Sequence, residues 1–449
     1  MASASLSRAT SDPQSSNTTA TFSVWIKRSG LGSDQTFWGG SYYSTDNMFI
    51  LKFSSDDKLQ VYSKRGASVK ASLKTTRVLR DTSAWYHIVI GIDTSQGSAA
   101  DRIKVYINGV QETSFSTNTQ PSQDENLYLD SGAGANYYIG QRGGNAEYFD
   151  GQMAHFHYAD GTTYTPTTFG ETDSTTGIWK PKTAPTVNYG NKGVFLKFDN
   201  SANMGLDSSG SARNFTTSGT IIQTKDTPSN VFATINPLDN YYFGGTFANL
   251  NNTVTGSSSS YTYCTSTLGV SKGKYYIEAK LSADDSDGTR IGVVGRPSTA
   301  TNNGIGDRQD EVMYQRNGNL KVNGTATSSW GSTWAVNDII GIALDLDNNK
   351  IYFSKNGTYQ ASGNPSTAAN GVTITAASST IDGFYRFGFG DNNSTGSSTF
   401  QYNFGNGFFG TTAVASAQTP DDGIGVFEYD PPTGYRALCT KSINAQEYS

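Results

Sequence analysis

Two segments of the chain end on the same phrase, RIKVYINGV at 102–110 and NKIYFSKNGT at 349–358. In the first, Ile103, Val105 and Ile107 alternate with Lys104 and Tyr106, and in the second, Ile351 and Phe353 alternate with Tyr352 and Ser354. A period of two puts successive side chains on opposite faces of a β-strand. Each strand then runs into Asn-Gly, at Asn108-Gly109 and Asn356-Gly357. That pair suits a two-residue type I′ turn, because both central residues need positive φ. The upstream context repeats as well: 23 residues separate Trp85 from Asn108, and 22 separate Trp334 from Asn356. Two related antiparallel sandwiches, each with its own hairpin, account for the repetition.

At roughly 150 residues per domain, 449 residues suggest two to three domains. Glycine is frequent at 49 residues and proline scarce at 12, which excludes collagen-like and Pro-rich rods. Aromatic residues, 26 Tyr, 23 Phe and 6 Trp, favour strands. No window of ten or more residues shows a 3.6-residue period. The expected fold class is therefore all-β. A Ser/Thr-rich arm or first strand occupies 1–20, and the first sandwich 21–180. A Gly/Asn/Ser-rich connector follows at 181–236, with one strand in GVFLKF (193–198), and the second sandwich covers 237–449. Both faces of GVFLKF carry large apolar groups, so it should be covered by a domain or by another subunit.

Charged residues make up 16% of the chain and the net charge is −5. With roughly 25% charged residues being usual, this surface is dominated by neutral polar side chains. No basic cluster points to nucleic acid. No run approaches 18 apolar residues, and MASASLSRATSDPQSS has no apolar h-region, so neither membrane insertion nor a signal peptide is expected. Two cysteines, Cys264 and Cys439, cannot form a disulfide framework; buried free thiols are expected, with a single bridge as the alternative.

The strand phrases resemble known families. TFSVWIKRSG, WYHIVIGID, KVYINGV, YYIGQRGG and YFDGQMAHFHYADG, in that order, resemble a LamG-like domain, a jelly roll of the concanavalin A-like type. GKYYIEAKL, IGVV, VNDIIGIALDLDNNKIYFSKNG, YRFGFG and QYNFGNGFF resemble a SPRY domain, a related sandwich, although Asn337-Asp338 stands where that pattern has Gly-Asp. HYADGTTYTPTTFGE, TGIWKPK, LDSSGSARNFT, DTPSNVFATINPLD and PPTGYRALCTKSI are similar to virion structural proteins of tailed bacteriophages, particularly marine ones. This resemblance implies two tandem concanavalin A-like sandwiches in a virion protein made in the host cytoplasm.

Candidate chemistry is sparse. Retaining glucanases of this fold need carboxylates about 5 Å apart, supplied on one strand by Glu-x-Asp-x-Glu. Here Glu-x-Asp occurs only at Glu171/Asp173 and Glu428/Asp430, without a third acid. No nucleophile elbow or P-loop occurs, so no catalytic residue and no enzyme is expected. Gly405, Gly407 and Gly410 satisfy G-x-G-x-x-G but lack the βαβ context of a dinucleotide site. His155 and His157 share a strand face, yet no third ligand follows by spacing, and a structural role is expected. Asp284, Asp285 and Asp287 invite a calcium reading, but the EF-hand pattern is not met and a solvated turn is expected. No metal or other cofactor is assigned.

What remains is binding by loops on rigid sandwiches. The candidate ligand contacts are Trp38, Tyr42 and Tyr43 in FWGGSYYSTD, and Trp330 in SSWGSTW. Aromatic rings stack on apolar sugar faces while Asn and Asp bond the hydroxyls. The leading expectation is a tail fibre or spike component that binds host-surface glycans and other virion subunits, as a homo-oligomer. By resemblance to phage fibres the oligomer would be a trimer. The alternatives are a purely architectural virion protein, in the head or tail, and a secreted glycan hydrolase.

Overall fold

The computed structural model describes residues 3–9, 13–44, 46–129, 136–174, 177–239, 244–257, 261–284, 288–297, 304–391 and 397–447. The chain forms two compact units, Met1–Gln223 and Thr224–Ser449.

In the first unit, one sheet has eight strands in the order Phe115–Thr119, Ser68–Val78, Lys58–Arg65, Asn47–Phe53, Gln35–Ser44, Asn136–Ile139, Ser5–Ala9, Thr216–Ser218. The other has six, in the order Val194–Leu196, Gly151–Asp160, Thr19–Arg28, Trp85–Asp93, Ile103–Ile107, Val110–Glu112. Strand alternation directs Phe22, Val24, Ile88 and Ile90 of the six-stranded sheet, and Phe49, Leu51 and Val61 of the eight-stranded one, into a shared core. Each such fully buried side chain contributes about 1.5–3 kcal/mol.

In the second unit, a nine-stranded sheet is built around Thr399–Asn403, Lys274–Ala283, Ile339–Asp345 and Lys350–Lys355. It faces a sheet in the order Thr262–Thr265, Arg386–Asp391, Arg290–Val294, Glu311–Gln315, Leu320–Val322, Thr325–Thr327. Ile277, Ala279, Ile342, Ile291 and Phe387 share the core between them. The chain is all-β apart from short 3₁₀ turns and the helix Thr440–Glu447, among the described residues.

The repeated phrase has one structural meaning in both units. Asn108 and Gly109 have φ of 51° and 81°, and Asn356 and Gly357 have 48° and 81°, as a type I′ turn requires. Each asparagine then clasps a third strand in both directions. Asn108 Oδ1 accepts from the His87 amide at 2.7 Å, while the Asn108 amide donates to the His87 carbonyl at 2.8 Å. Asn356 makes the same pair with Ile339, at 2.8 Å each way. The tryptophans are not equivalent. Trp334 lies in the second core, whereas Trp85 points to the side of its strand opposite Ile88 and Ile90. The shared Trp-to-Asn spacing therefore marks no common tryptophan role, and the clasped residues stand 21 and 17 positions before their asparagines.

The stretch expected as a connector contributes an edge strand to each sheet of the first unit. Val194–Leu196 pairs with Gly151–Asp160, and Thr216–Ser218 pairs with Ser5–Ala9. Val194 and Leu196 enter the core, and Phe195 stacks on His157 at 3.9 Å on the opposite face. Both apolar faces of this strand are thus covered within the chain, so it gives no reason to expect a second subunit.

A further layer lies on the outer face of the six-stranded sheet. There Trp25 stacks on His87 at 4.5 Å, and the Trp179 indole N–H donates to His87 Nδ1 at 2.9 Å. Because that nitrogen accepts, the proton sits on Nε2, which donates to Ser23 Oγ at 2.9 Å. His157 Nδ1 lies 2.9 Å from the Tyr189 hydroxyl, and the ring also packs on Phe169. Burial pushes the His87 pKa down to about 3, and that of His157 well below the usual value. His155, at a bulge with φ of 48°, is shifted down by burial and then by Lys197.

Candidate functional site

Of the aromatic residues expected at a ligand surface, Trp38 is not available. It sits on the Gln35–Ser44 strand, 1% exposed, against Phe22, Tyr137, Phe156 and Tyr158. The bulge in that strand, between Thr36 and Trp38 in its pairing with Asn47–Phe53, leaves both Phe37 and Trp38 buried in the core. Tyr42 and Tyr43 lie on the same strand, and their side chains are outside the described set. Trp330 is half-buried, with its ring edge-on to Tyr314 and Phe353.

The second unit contains an open cleft of about 570 Å³, within the roughly 300–1,000 Å³ of small-ligand sites. One wall is the loop after the Asn-Gly hairpin, presenting Tyr359, Ser362, Asn364 and Pro365. The other is the segment Asp430, Pro431, Pro432 and Thr433. The Trp330 loop is tied to the first wall, since the Ser332 amide donates to Gln360 Oε1 at 2.8 Å.

Both walls are held from behind. In the first, Ala361, Ser362, Ala368 and Asn370 have φ of 51–55°, conformations that L-residues keep only when their surroundings impose them. The imposing contacts are the paired backbone bonds between Asn364 and Ala369, at 2.9 and 3.0 Å, and the bond from Asn370 Nδ2 to the Ser362 carbonyl at 3.0 Å. The second wall hangs on Glu278, which is fully buried in the Lys274–Ala283 strand. Its carboxylate accepts the Glu428 and Tyr429 amides at 2.8 Å each, the Tyr276 hydroxyl at 3.2 Å and Asn403 Nδ2 at 3.2 Å. Burial, opposed by these donors, raises the Glu278 pKa to about 7. Prolines at 431 and 432 then fix the backbone of the wall. The Tyr359 hydroxyl is shifted up by burial, then by Glu278 and Asp430, so it remains a neutral donor.

The cleft surface therefore combines the partly exposed Tyr359 ring, hydroxyls, the Asn364 amide and one carboxylate, Asp430, while Pro365, Pro431 and Pro432 are themselves buried. A glycosidase needs two carboxyl groups flanking the bond, and Glu278 lies behind the wall rather than on the surface. Sequence reading noticed Asp430 only as half of a Glu-x-Asp pair and overlooked the cleft.

The other flagged motifs have structural placements. Gly405, Gly407 and Gly410 all have positive φ, and the Gly405 and Gly407 amides bond Asn403 Oδ1 at 3.0 Å each. Phe408–Phe409, just before Gly410, pairs with Thr412–Ala413 just after it, so the turn opens no nucleotide-binding helix. Asp284, expected in a solvated turn, is instead 8% exposed and pairs with Arg316 at 2.5 Å, while Asp285 and Asp287 lie outside the described residues. Cys264 and Cys439 are buried free thiols. Among the described residues no group of three His, Cys, Asp or Glu is placed to hold a metal. A chelator is accordingly expected to leave the melting temperature unchanged, and a fall of about 10 °C or more in a thermal scan would restore a calcium site.

Residues 3–163 match the model of the concanavalin A-like lectin/glucanases superfamily, and residues 274–394 match the SPRY domain. No curated protein matches the chain. Among solved structures, the SPRY domain of human HERC1 is 21% identical over 37% of this chain and 96% of its own, with a TM-score of 0.30. A candidate carbohydrate-binding protein from Bacteroides ovatus is 19% identical over 50% of this chain and 60% of its own, with a TM-score of 0.33. A pentraxin from Limulus polyphemus is 16% identical over 42% and 88%, with a TM-score of 0.28. The chain thus carries a concanavalin A-like lectin/glucanase-type sandwich followed by a SPRY sandwich.

Proposed function

We propose that this is a non-enzymatic glycan-binding protein of a virion, a tail fibre or spike component that contacts the host surface. The observation that carries the glycan reading is the cleft, where the partly exposed Tyr359 ring lies beside Asn364, Asp430 and hydroxyl groups. Such a set suits a sugar, whose C–H face stacks while its hydroxyls both donate and accept. The match of the first domain to a superfamily that includes lectins supports the same class. A single carboxylate in the lining of this cleft argues against hydrolysis there. Virion placement rests on the resemblance of the connecting segments to phage structural proteins.

A glycan array probed with the full chain tests the reading. Tyr359→Ala is expected to weaken the best ligand about tenfold, the loss of one stacked ring. With few charges available, affinity for that ligand should change by less than about threefold between 50 and 500 mM NaCl. Absence of any glycan binding, with the chain located by electron microscopy among structural subunits away from the tail tip, would favour the architectural alternative.

A further inference from the structure

We infer that the second-unit cleft selects uncharged sugars bearing adjacent free hydroxyls and rejects glycans that carry carboxylate, sulfate or phosphate groups. This deepens the glycan reading and rests on it. Asp430 is exposed on the cleft wall and is the one charged side chain among the lining residues. An ionised carboxylate only accepts hydrogen bonds, so its ligand must supply O–H or N–H donors. Two neighbouring sugar hydroxyls do this, whereas an acidic substituent brings a second negative charge and no donor.

Three cations of the second unit are already paired with other carboxylates. Lys355 Nζ donates to the Thr333 carbonyl at 2.9 Å and pairs with Asp338 at 3.1 Å. Arg436 pairs with Asp422 at 3.5 Å, and Lys274 with Asp345 at 3.1 Å. Behind the wall, Glu278 adds negative charge whenever it is ionised, and it acts on Tyr359 together with Asp430. Asn364 completes the selection. Its side-chain oxygen already accepts the Thr367 amide at 3.3 Å, which leaves its amide hydrogens to donate to a sugar oxygen. The pair Asp430 and Asn364 thus offers one acceptor and one donor beside the Tyr359 ring, a match to a neutral diol.

The experiment measures the full chain against matched pairs of oligosaccharides that differ only at C6, hexoses against the corresponding hexuronates, by calorimetry in 50 mM NaCl. The neutral member is expected to bind at least about tenfold more tightly, from like-charge repulsion at a partly screened site. Asp430→Asn, which keeps the shape of the side chain, should reduce the difference below about threefold. In 500 mM NaCl the difference should also shrink, through gain of the hexuronate. Equal or tighter hexuronate binding, or an unchanged preference in Asp430→Asn, overturns this inference and leaves the glycan reading standing. No binding of either member of any pair overturns both.

Discussion

Lowering the pH from 7.5 to 5 is expected to destabilise the first unit by at least about 2 kcal/mol. His87 and His157 are 0% and 1% exposed, and burial holds both pKa values well below 6.5, that of His87 at about 3. In the unfolded chain they protonate as the pH falls through 6.5, while in the folded unit they stay neutral. Stability is therefore complete above pH 6.5 and falls progressively below it, by about 2 kcal/mol at pH 5 from His87, with His157 adding to the loss in the same direction. His155 shifts in the same direction. Hydrogen exchange of the full chain, read by mass spectrometry and corrected for intrinsic rates, measures this in Thr19–Arg28 and Trp85–Asp93. His87→Gln can still accept from Trp179 and donate to Ser23, so it should fold and remove the His87 share of the pH slope, about 2 kcal/mol between pH 7.5 and 5. An unchanged slope in that variant would reject the assignment.

The same cluster shows where the sequence was legible. Alternation identified the strands in RIKVYINGV and NKIYFSKNGT, and Asn-Gly identified their turns, because both signals are local. Their partners were not visible. Leu6 pairs with Ile139, and Phe195 with His157, contacts fixed by the whole sheet rather than by neighbouring residues. The stretch 181–236 therefore reads as a connector from composition, although part of it closes two sheet edges. Likewise, His155 and His157 share a period-two spacing in sequence, but the bulge between Ala154 and His157 breaks the regular pairing with Thr19–Arg28.

The cleft was less legible for a related reason. Its walls come from 359–366 and 430–433, and neither segment has a period. Aromatic residues in turn-rich sequence looked like ligand contacts, yet Trp38 follows a Phe on a bulged strand and both are absorbed by the core. Tyr359 directly follows the second hairpin turn and could have been found there. Pro431-Pro432 after an acidic residue is a further local sign, since two prolines rigidify a surface segment at little entropic cost. The anchor was hidden altogether: Glu278 reads as an ordinary polar position in YYIEAKL, and its burial follows from the C-terminal segment folded over it.

That anchor gives the second unit the opposite response to pH. The Glu278 pKa is about 7 in the fold and 4.5 in its ordinary state. The folded unit consequently takes up a proton that the unfolded chain does not hold between those values. The resulting stabilisation is complete below pH 4.5 and is lost as the pH rises through 7, a decline of about 2.5 kcal/mol from pH 5 to pH 8. Exchange protection of Lys274–Ala283 and Thr399–Asn403 in the full chain should follow it, rising toward pH 5 while that of Thr19–Arg28 falls. Glu278→Gln removes the titration, so the decline should disappear. The variant should also be less stable at pH 5, since the glutamine oxygen can serve the Glu428 or Tyr429 amide while its NH₂ group faces the other donor. Loosened amides at 428 and 429 would in turn release the Asp430–Thr433 wall, and glycan affinity should fall with them. A pH slope that survives in Glu278→Gln would move the titrating group elsewhere and separate the wall from this carboxylate.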